Sequence, residues 1–386
     1  MGDKGGSCEV FVVAFNKVKP YIAMIALQFG YAGMYIVTML CLKRGLSHYV
    51  LVVYRHAAAT IAVAPFAYFF ERKVRPKMTF SIFWKIMLLG LIEPVIDQNL
   101  YYVGMRYTSA SFTSAMVNVL PAITFIMAII FRLERVKIRK LHSQAKIVGT
   151  IVTLGGAMIM TLYKGPIIEM VWSSGHSHEG SSSGGGSGAS TQHWLVGTLM
   201  LLGSCVGWSS FFILQSFTLR KYPTELSLTS LICFMGMIQG GVVALVMEHD
   251  FKNWAIGFDS RLLAPVYSGL VCSAAAYYLQ GVVIKERGPV FVTAFNPLCM
   301  IITTILGSLV LAEQIHLGSI IGAIIIVIGL YSVVWGKSKD QLATSPIATT
   351  DYATKTYLPM LIAGDTKANH GVVMSEIPIK IALTQK

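Results

Sequence analysis

The sequence predicts an all-α integral membrane protein in which ten transmembrane helices form two inverted repeats of five helices. Three observations predict this fold: a strongly apolar composition, ten apolar runs of membrane-spanning length, and a pattern that recurs along the chain. Hydrophobic residues make up 54% of the 386 residues and charged residues only 13%. The mean hydropathy is +0.64. Since soluble domains carry about 25% charged residues, the composition excludes an ordinary soluble protein.

The net charge of +13 would suggest nucleic-acid binding in a soluble chain. Here, however, the lysines and arginines crowd short loops between apolar runs, so no nucleic-acid partner is expected. Five of the six cysteines lie in apolar segments, and they form no disulfide framework or paired metal-ligand motif. We therefore expect no metal and no cofactor.

Ten apolar runs follow a short polar tail at residues 1–19. Each run has about 18 to 25 residues, which at 1.5 Å per residue crosses about 30 Å of hydrocarbon. The first run lacks a small-residue cleavage site and is interpreted as a retained helix. The predicted spans are 20–42, 48–70, 80–104, 109–131, 146–163, 194–216, 226–247, 262–284, 288–312 and 318–336.

The basic residues predict the orientation of these spans. Alternate loops, counted from the N-terminal tail, contain 17 lysines and arginines, whereas the opposite set contains six. Short basic loops stay on the cytosolic side, so both termini are predicted to be cytosolic.

Two segments outside the spans are predicted to lack a packed core. Residues 164–193 form an extracytosolic linker rich in glycine and serine, where His176, His178 and His193 are interpreted as solvated rather than as a metal site. Residues 337–386 lose apolar periodicity and are predicted to be a disordered cytosolic tail.

A repeated pattern divides the chain into a first half at 20–163 and a second at 194–336. Because five spans per half is an odd number, the halves must insert upside down relative to each other, an arrangement typical of transporters with a site near the midplane. The matching positions at an offset of 179 are Gly90, Leu91, Met105, Arg106 and Phe112 with Gly269, Leu270, Ile284, Lys285 and Phe291. After a loop that is six residues shorter, Gly149 and Gly156 match Gly322 and Gly329.

The third span carries an unusual group of polar residues. Glu93 and Asp97 are four residues apart, so both carboxylates lie on one helix face, and Pro94 between them removes a backbone hydrogen bond. Gln98 and Asn99 follow directly. Buried carboxylates are costly in hydrocarbon and usually mark a pathway, so we expect these residues to line a cavity. Glu93 could attract a substrate ammonium, carry a proton, or accept structural hydrogen bonds.

Other charged residues suggest ion pairs. Arg55 and Asp97 both lie about 10 Å below the outer end of their spans, so an ion pair between them is geometrically feasible, as a structural clamp or as part of a substrate site. Glu134 and Glu313 end the fourth and ninth spans at opposite faces. They are interpreted as gate ion pairs or as charges at the bilayer edge.

Two asparagines lie beside helix-breaking prolines, Asn118 near Pro121 and Asn296 before Pro297. Broken helices expose backbone groups that can meet a substrate, so each asparagine is a candidate for lining a cavity, with plain helix packing as the alternative. Six further residues with polar tips or aromatic faces are weaker predictions for the same cavity: Gln28, Tyr31, Trp208, Tyr277, Tyr278 and Gln280.

Several long runs resemble the plant nodulin-21/EamA-like transporters, also called UMAMIT or walls-are-thin-related proteins, of the drug/metabolite transporter superfamily. The runs include LQFGYAGMYIVTM, EPVIDQNLYYVGM, KERGPVFVTAFNPLCMIIT and LAEQIHLGSIIGAIIIVIGLYSVVWGKSKD. The resemblance implies two EamA repeats, spans four and nine at a central cavity, and facilitated movement of amino acids, often outward, across the plasma membrane or the vacuolar membrane. One class of this family carries auxin instead.

The leading prediction is a transporter that exports or equilibrates amino acids by alternating access, with the bilayer as its surroundings and a homo-oligomer compatible with the sequence. An auxin or indole-acid carrier is the alternative within transport. A membrane-embedded enzyme using Glu93 and Asp97 as an acid/base pair is a third reading, but no catalytic motif is present, so an enzyme is not expected.

Overall fold

A computed structural model describes residues 5–43, 47–108, 116–134, 139–163, 166–168, 189–249, 254, 260–311 and 315–344. The predicted residue Glu313, most of the linker and the tail beyond residue 344 lie outside this part of the chain. The chain divides into the units Met1–Lys337 and Ser338–Lys386. The first unit contains the helical fold and the candidate site. The last helix of the described chain, Leu317–Thr344, begins in the first unit and ends in the second.

The described chain is almost entirely helical, with α-helices numbered here in order and two π-helical segments named π1 and π2. The first half comprises α1 Gly5–Lys43, α2 His48–Glu71, α3 Phe80–Leu91, π1 Ile92–Asp97, α4 Gln98–Tyr107, α5 Leu120–Ile130 and α6 Leu141–Leu162. The second comprises α7 Ala189–Lys221, α8 Glu225–Met247, α9 Ser260–Tyr267, π2 Ser268–Ala275, α10 Ala276–Arg287, α11 Pro289–Ala294, α12 Asn296–Leu311 and α13 Leu317–Thr344.

Eight helical stretches within the described residues are long and apolar enough to cross a membrane, and Leu120–Ile130 is a shorter apolar helix. Phe80–Tyr107 is also helical throughout, as α3, π1 and α4 in succession. The structure therefore shows an all-helical membrane protein, and the count of ten spans stays a prediction.

Local sequence explains several helix boundaries. The Thr79 hydroxyl accepts a hydrogen bond from the backbone N–H of Ile82 at 3.4 Å and so caps α3. Gly288 ends α10 with φ at +84°, a conformation that glycine adopts without strain. The Glu71 carboxylate accepts from the backbone N–H groups of Leu226 and Ser227 at 3.0 and 2.6 Å, and it caps α8 from the end of α2.

Three helices extend into segments that were predicted to be a tail or a linker. Helix α1 begins at Gly5, so most of the predicted polar tail is helical, and α7 begins at Ala189 inside the predicted linker. Helix α13 runs to Thr344, so residues 337–344 are helical rather than disordered. No proline interrupts the sequence at any of these extensions, so the backbone hydrogen bonding of each helix can continue beyond the apolar run.

The repeated pattern is matched by the backbone. The first π-helix, π1, covers residues 92–97, and the positions 179 residues later are 271–276. All of these except residue 276 lie in π2, and residue 276 follows it directly. Pro94, predicted to break the third span, is accommodated by this wider turn instead. Such π-helices are rare and occur often at functional sites.

Glycines bring α6 and α13 into close contact. A Cβ atom added to Gly149 would lie 2.8 Å from the carbonyl oxygen of Gly329, and one added to Gly156 would lie 3.0 Å from that of Gly322. The pairing order is reversed along the two helices, so they cross antiparallel, as an inverted duplication requires. The strands Ile167–Ile168 and Ile315–His316 pair antiparallel next to this contact.

The largest apolar core combines both halves. It includes Met24 and Leu27 on α1, Phe211 and Phe212 on α7, and Phe291 on α11, all buried. The π-helices lie against this core, so the polar residues they carry are shielded from lipid.

Candidate functional site

The two π-helices each pack on a helix of the other half. A Cβ atom on Gly90, just before π1, would lie 2.8 Å from Cβ of Met235 on α8. One on Gly269, in π2, would lie 2.5 Å from the carbonyl oxygen of Arg55 on α2. This close packing brings the polar side chains of both halves together near the middle of the protein.

Glu93 is the most connected acid of the site. Its Oε1 accepts a hydrogen bond from Nε2 of Gln98 at 3.2 Å, and its Oε2 accepts a short one from the hydroxyl of Tyr277. Gln98 and Tyr277 are equivalent positions at the offset of 179, so matching residues of both halves converge on one carboxylate. All three side chains are buried.

Arg55 is buried, but it does not form the ion pair with Asp97 that was considered from sequence. Its Nε donates to the Ser273 hydroxyl at 2.7 Å and its Nη2 to the carbonyl oxygen of Cys272 at 3.5 Å. Within the described part of the chain, no carboxylate oxygen lies within ion-pair distance of this guanidinium. The correction has a geometric cause, since close packing at Gly269 places π2, rather than π1, next to Arg55.

Asp97 has a different partner from the second half. Its Oδ1 accepts a short hydrogen bond from the Ser204 hydroxyl on α7, and both residues are buried. Glu93 and Arg55 lie within electrostatic range of Asp97. The two acids and the one guanidinium therefore belong to the same buried cluster.

Tyr31 and Gln280 border this cluster. Gln280 Nε2 donates to the Tyr31 hydroxyl at 2.8 Å, and Tyr31 lies within electrostatic range of Arg55 and Glu93. The Tyr31 ring contacts the half-buried Trp208 edge to face, with centroids 6.4 Å apart. Tyr31 and Trp208, two of the four predicted aromatic residues, therefore lie beside the charged groups.

Several buried polar atoms of this region lack a hydrogen-bond partner among the described residues. They include the amide oxygens Oε1 of Gln98 and Gln280, Nε2 of His56, and Nδ2 of Asn296. Buried polar groups are normally paired, and an unpaired one costs about 1–3 kcal/mol. These atoms therefore retain unused hydrogen-bonding capacity among the described residues.

Four other predicted site residues form no hydrogen bond to Glu93, Asp97 or Arg55 within the described chain. Asn118 Nδ2 lies 2.9 Å from Sδ of Met300 on α12, and Asn99 Nδ2 donates to the carbonyl oxygen of Val95 on its own helix at 2.6 Å. Gln28 is buried and Tyr278 half-buried. The helical hydrogen bonding changes at residues 118–119 and at Phe295, so a break does occur beside each predicted asparagine.

Glu134 lies away from this cluster, among basic residues at the predicted cytosolic end. Its Oε1 is 2.7 Å from Nζ of Lys146 on α6, and its Oε2 forms a short ion pair with Lys337 on α13. All three side chains are largely buried. The ion pairs join the two halves, which is the geometry a gate or a structural clamp needs.

Sequence reasoning missed five residues of the two charged groups, one of them Lys337, which was assigned to the predicted cytosolic tail. Ser204 and Ser273 give no signal as isolated serines in apolar helices. His56, next to Arg55 in an apolar span, and Lys146, in the apolar α6, were visible as rare ionisable residues in predicted membrane segments.

The model of the EamA-like transporter family matches residues 18–162 and 195–335. The chain belongs to this family. Two WAT1-related proteins of Arabidopsis thaliana are 60% identical over 339 residues, covering 88% of this chain and 89% of the relative, and 62% identical over 335 residues, covering 85% and 86%. A solved crystal structure with a TM-score of 0.59 and 13% identity covers 82% of this chain and 97% of that one, which supports the fold alone. This EamA-like protein is thus a multi-pass membrane transporter of the drug/metabolite transporter superfamily.

Proposed function

We propose that this EamA-like transporter carries amino acids, with the central cluster as their binding site. The observation that supports this most is the combination of Glu93, Asp97 and Arg55 in one buried cluster built from both halves. A zwitterionic amino acid carries the complementary charges, an ammonium and a carboxylate, within a single small molecule.

The charge count favours a cationic group on the substrate. Arg55 is one guanidinium beside two carboxyl groups, so the described residues of the cluster hold one more acid than permanent cation. Leaving a charge uncompensated away from water is costly. A substrate ammonium beside Glu93 would supply the missing charge, and the unpaired amide oxygens of Gln98 and Gln280 would accept its hydrogens.

The carboxylate of the substrate would bind Arg55. The guanidinium has five N–H donors, of which the described residues use those on Nε and Nη2. The Nη1 donors face no described partner and suit a carboxylate. Tyr31 and Trp208 would contact the side chain of the substrate.

Transport is proposed to occur by alternating access between two inverted five-helix halves at 20–163 and 194–336, ten spans in total. The antiparallel contact of α6 with α13 and the exchange of π-helix contacts between halves support this arrangement. Glu134 with its two lysines would close the cytosolic side. The 17-to-6 distribution of basic residues supports cytosolic termini. Our proposed location is the plasma membrane, with the vacuolar membrane as the alternative.

An indole-acid carrier is the second candidate, because the edge-to-face contact of Tyr31 with Trp208 would suit a flat aromatic substrate. Indole acetate, however, brings a carboxylate and no ammonium. It would leave the surplus carboxyl of the cluster without a cation, so the charge count favours an amino acid.

Counterflow in proteoliposomes tests the proposal. Vesicles preloaded with an unlabelled amino acid mixture or with indole acetate would be given the same labelled compound outside. We expect uptake of labelled amino acids by the wild type, little uptake of labelled indole acetate, and a strong reduction of amino acid counterflow in Glu93→Gln. Indole acetate counterflow without amino acid counterflow would overturn the proposal in favour of the second candidate.

A further inference from the structure

His56 is a buried ionisable residue that the proposed binding of substrate does not use. It follows Arg55 on α2 and is 0% exposed. Its Nδ1 lies 2.8 Å from the carbonyl oxygen of Val52. A carbonyl oxygen only accepts hydrogen bonds, so Nδ1 carries the hydrogen, and in the neutral ring Nε2 is left as a bare acceptor.

This bare nitrogen faces an acid. Nε2 has no hydrogen-bond partner among the described residues, and Oε2 of Glu93 lies 4.0 Å away. A nitrogen lone pair and a carboxylate oxygen repel each other when neither carries a hydrogen. One added proton converts this repulsion into attraction, since either group could then donate to the other. The Tyr277 hydroxyl donates a hydrogen bond to this same oxygen, Oε2. A carboxylate oxygen has two lone pairs, so a second one is left for an interaction with His56.

Close packing fixes this arrangement. A Cβ atom added to Gly236 on α8 would lie 2.7 Å from Cγ of Pro94 and 3.3 Å from Cδ2 of His56. Helix α8 thus packs against both the imidazole of His56 and π1. The imidazole and the carboxylate are held facing each other by the surrounding helices.

The neighbouring groups determine where the proton sits. The charged and titratable groups around the pair are Arg55 on α2, Asp97 on π1, Tyr102 on α4, Tyr31 on α1, Cys233 on α8, Cys272 on π2 and Tyr277 on α10. The permanent cation of Arg55 is adjacent in sequence and repels a second cation on His56. The proton would therefore reside on Glu93 and be donated to Nε2 of His56.

We propose that His56 and Glu93 together form a proton-binding site that couples transport to pH. This inference rests on the proposed function, because Glu93 is also the group offered to the substrate ammonium. When the ammonium binds, the Glu93 hydroxyl loses its proton to water and the carboxylate pairs with the ammonium, so one positive charge replaces another. A proton and a substrate would then compete for the same carboxylate.

A measurement without substrate tests the proton site by itself. Infrared difference spectra of the purified protein between acid and alkaline pH report protonated buried carboxyl groups. His56→Asn keeps a donor for the Val52 carbonyl but lacks Nε2, and His249→Gln changes an exposed histidine as the matched control. We expect a carboxyl band in the wild type and in His249→Gln that shifts in His56→Asn and is lost in Glu93→Gln. A band unchanged in His56→Asn would overturn the inference.

The transport assay then tests coupling. Counterflow measured from about pH 5 to about pH 8 should change several-fold in the wild type and in His249→Gln, and should be nearly flat in His56→Asn and in a second variant, His56→Gln. Identical pH profiles in all four proteins would contradict the inference. If the wild type carries indole acetate but no amino acid while the infrared band still depends on His56, the proposed substrate is wrong and the proton site stands.

Discussion

The two π-helices have the same position in each half but different chemistry. In π1, Glu93 and Asp97 provide two buried carboxyl groups, and Pro94 separates them. At the equivalent positions of the second half, Cys272, Ser273 and Ala276 are small and uncharged. The backbone of the duplicated unit has therefore been kept while the charge has been concentrated in one copy.

This difference shows how a duplicated fold builds a single site. The first half supplies the acids and Arg55, whereas the second supplies neutral partners, namely the hydroxyls of Tyr277, Ser204 and Ser273. Neither half contains the complete site. The proposed site therefore lies where the halves meet, which is where an alternating-access transporter would need it.

The largest effect is expected from removing the charge of Glu93, compared with a substitution at the equivalent, uncharged position of the second half. Glu93→Gln should lower amino acid counterflow by about 10- to 100-fold, because an interaction with a charged group contributes about 1.5–3 kcal/mol. Cys272→Ser, at the equivalent position of π2, should stay close to the wild type. Equal losses in both variants, at equal amounts of reconstituted protein, would show that the two copies contribute alike.

Packing at the glycines beside the two π-helices should matter equally in both copies. Gly269→Ala and Gly90→Ala should each lower the free energy of unfolding by about 1–3 kcal/mol, because the new methyl groups would overlap Arg55 and Met235. Gly155→Ala is the control, since no atom lies within 4 Å of its added Cβ, and it should be neutral or slightly stabilising. Thermal unfolding in detergent would measure these changes in stability. A neutral or stabilising effect of Gly269→Ala, as expected for Gly155→Ala, would refute the close contact between Gly269 and Arg55.

A smaller effect is expected at the neutral partner of Arg55. Ser273→Ala leaves Nε of Arg55 without its acceptor. A lost hydrogen bond costs about 1 kcal/mol, so the rate of amino acid counterflow should fall roughly fivefold. Ser268→Ala is the matched control in π2, because its hydroxyl bonds only to the carbonyl groups of its own helix. A loss at Ser268 as large as that at Ser273 would argue against a role of the Ser273 hydroxyl in positioning Arg55.

Much of this comparison could be predicted from sequence. Charged residues in an apolar run identified Glu93 and Asp97, and the offset of 179 identified the matching segment of the second half. The partners could not be predicted in the same way, since Tyr277 reaches Glu93 across 184 positions through packing of the halves. The Arg55–Asp97 pair was wrong for this reason, because equal depth in the membrane does not determine which helices touch. The π2 segment also gave no signal, since no proline lies within it.

Direct binding is the measurement that tests the central claim most directly. Purified wild type, Glu93→Gln and Glu225→Gln would be titrated with a labelled amino acid, with Glu225 as the control because its carboxylate pairs with the exposed Lys285 outside the cluster. A shared central site predicts that wild type and Glu225→Gln bind with the same Kd, whereas Glu93→Gln binds at least about tenfold more weakly. Unchanged binding in Glu93→Gln would contradict the account.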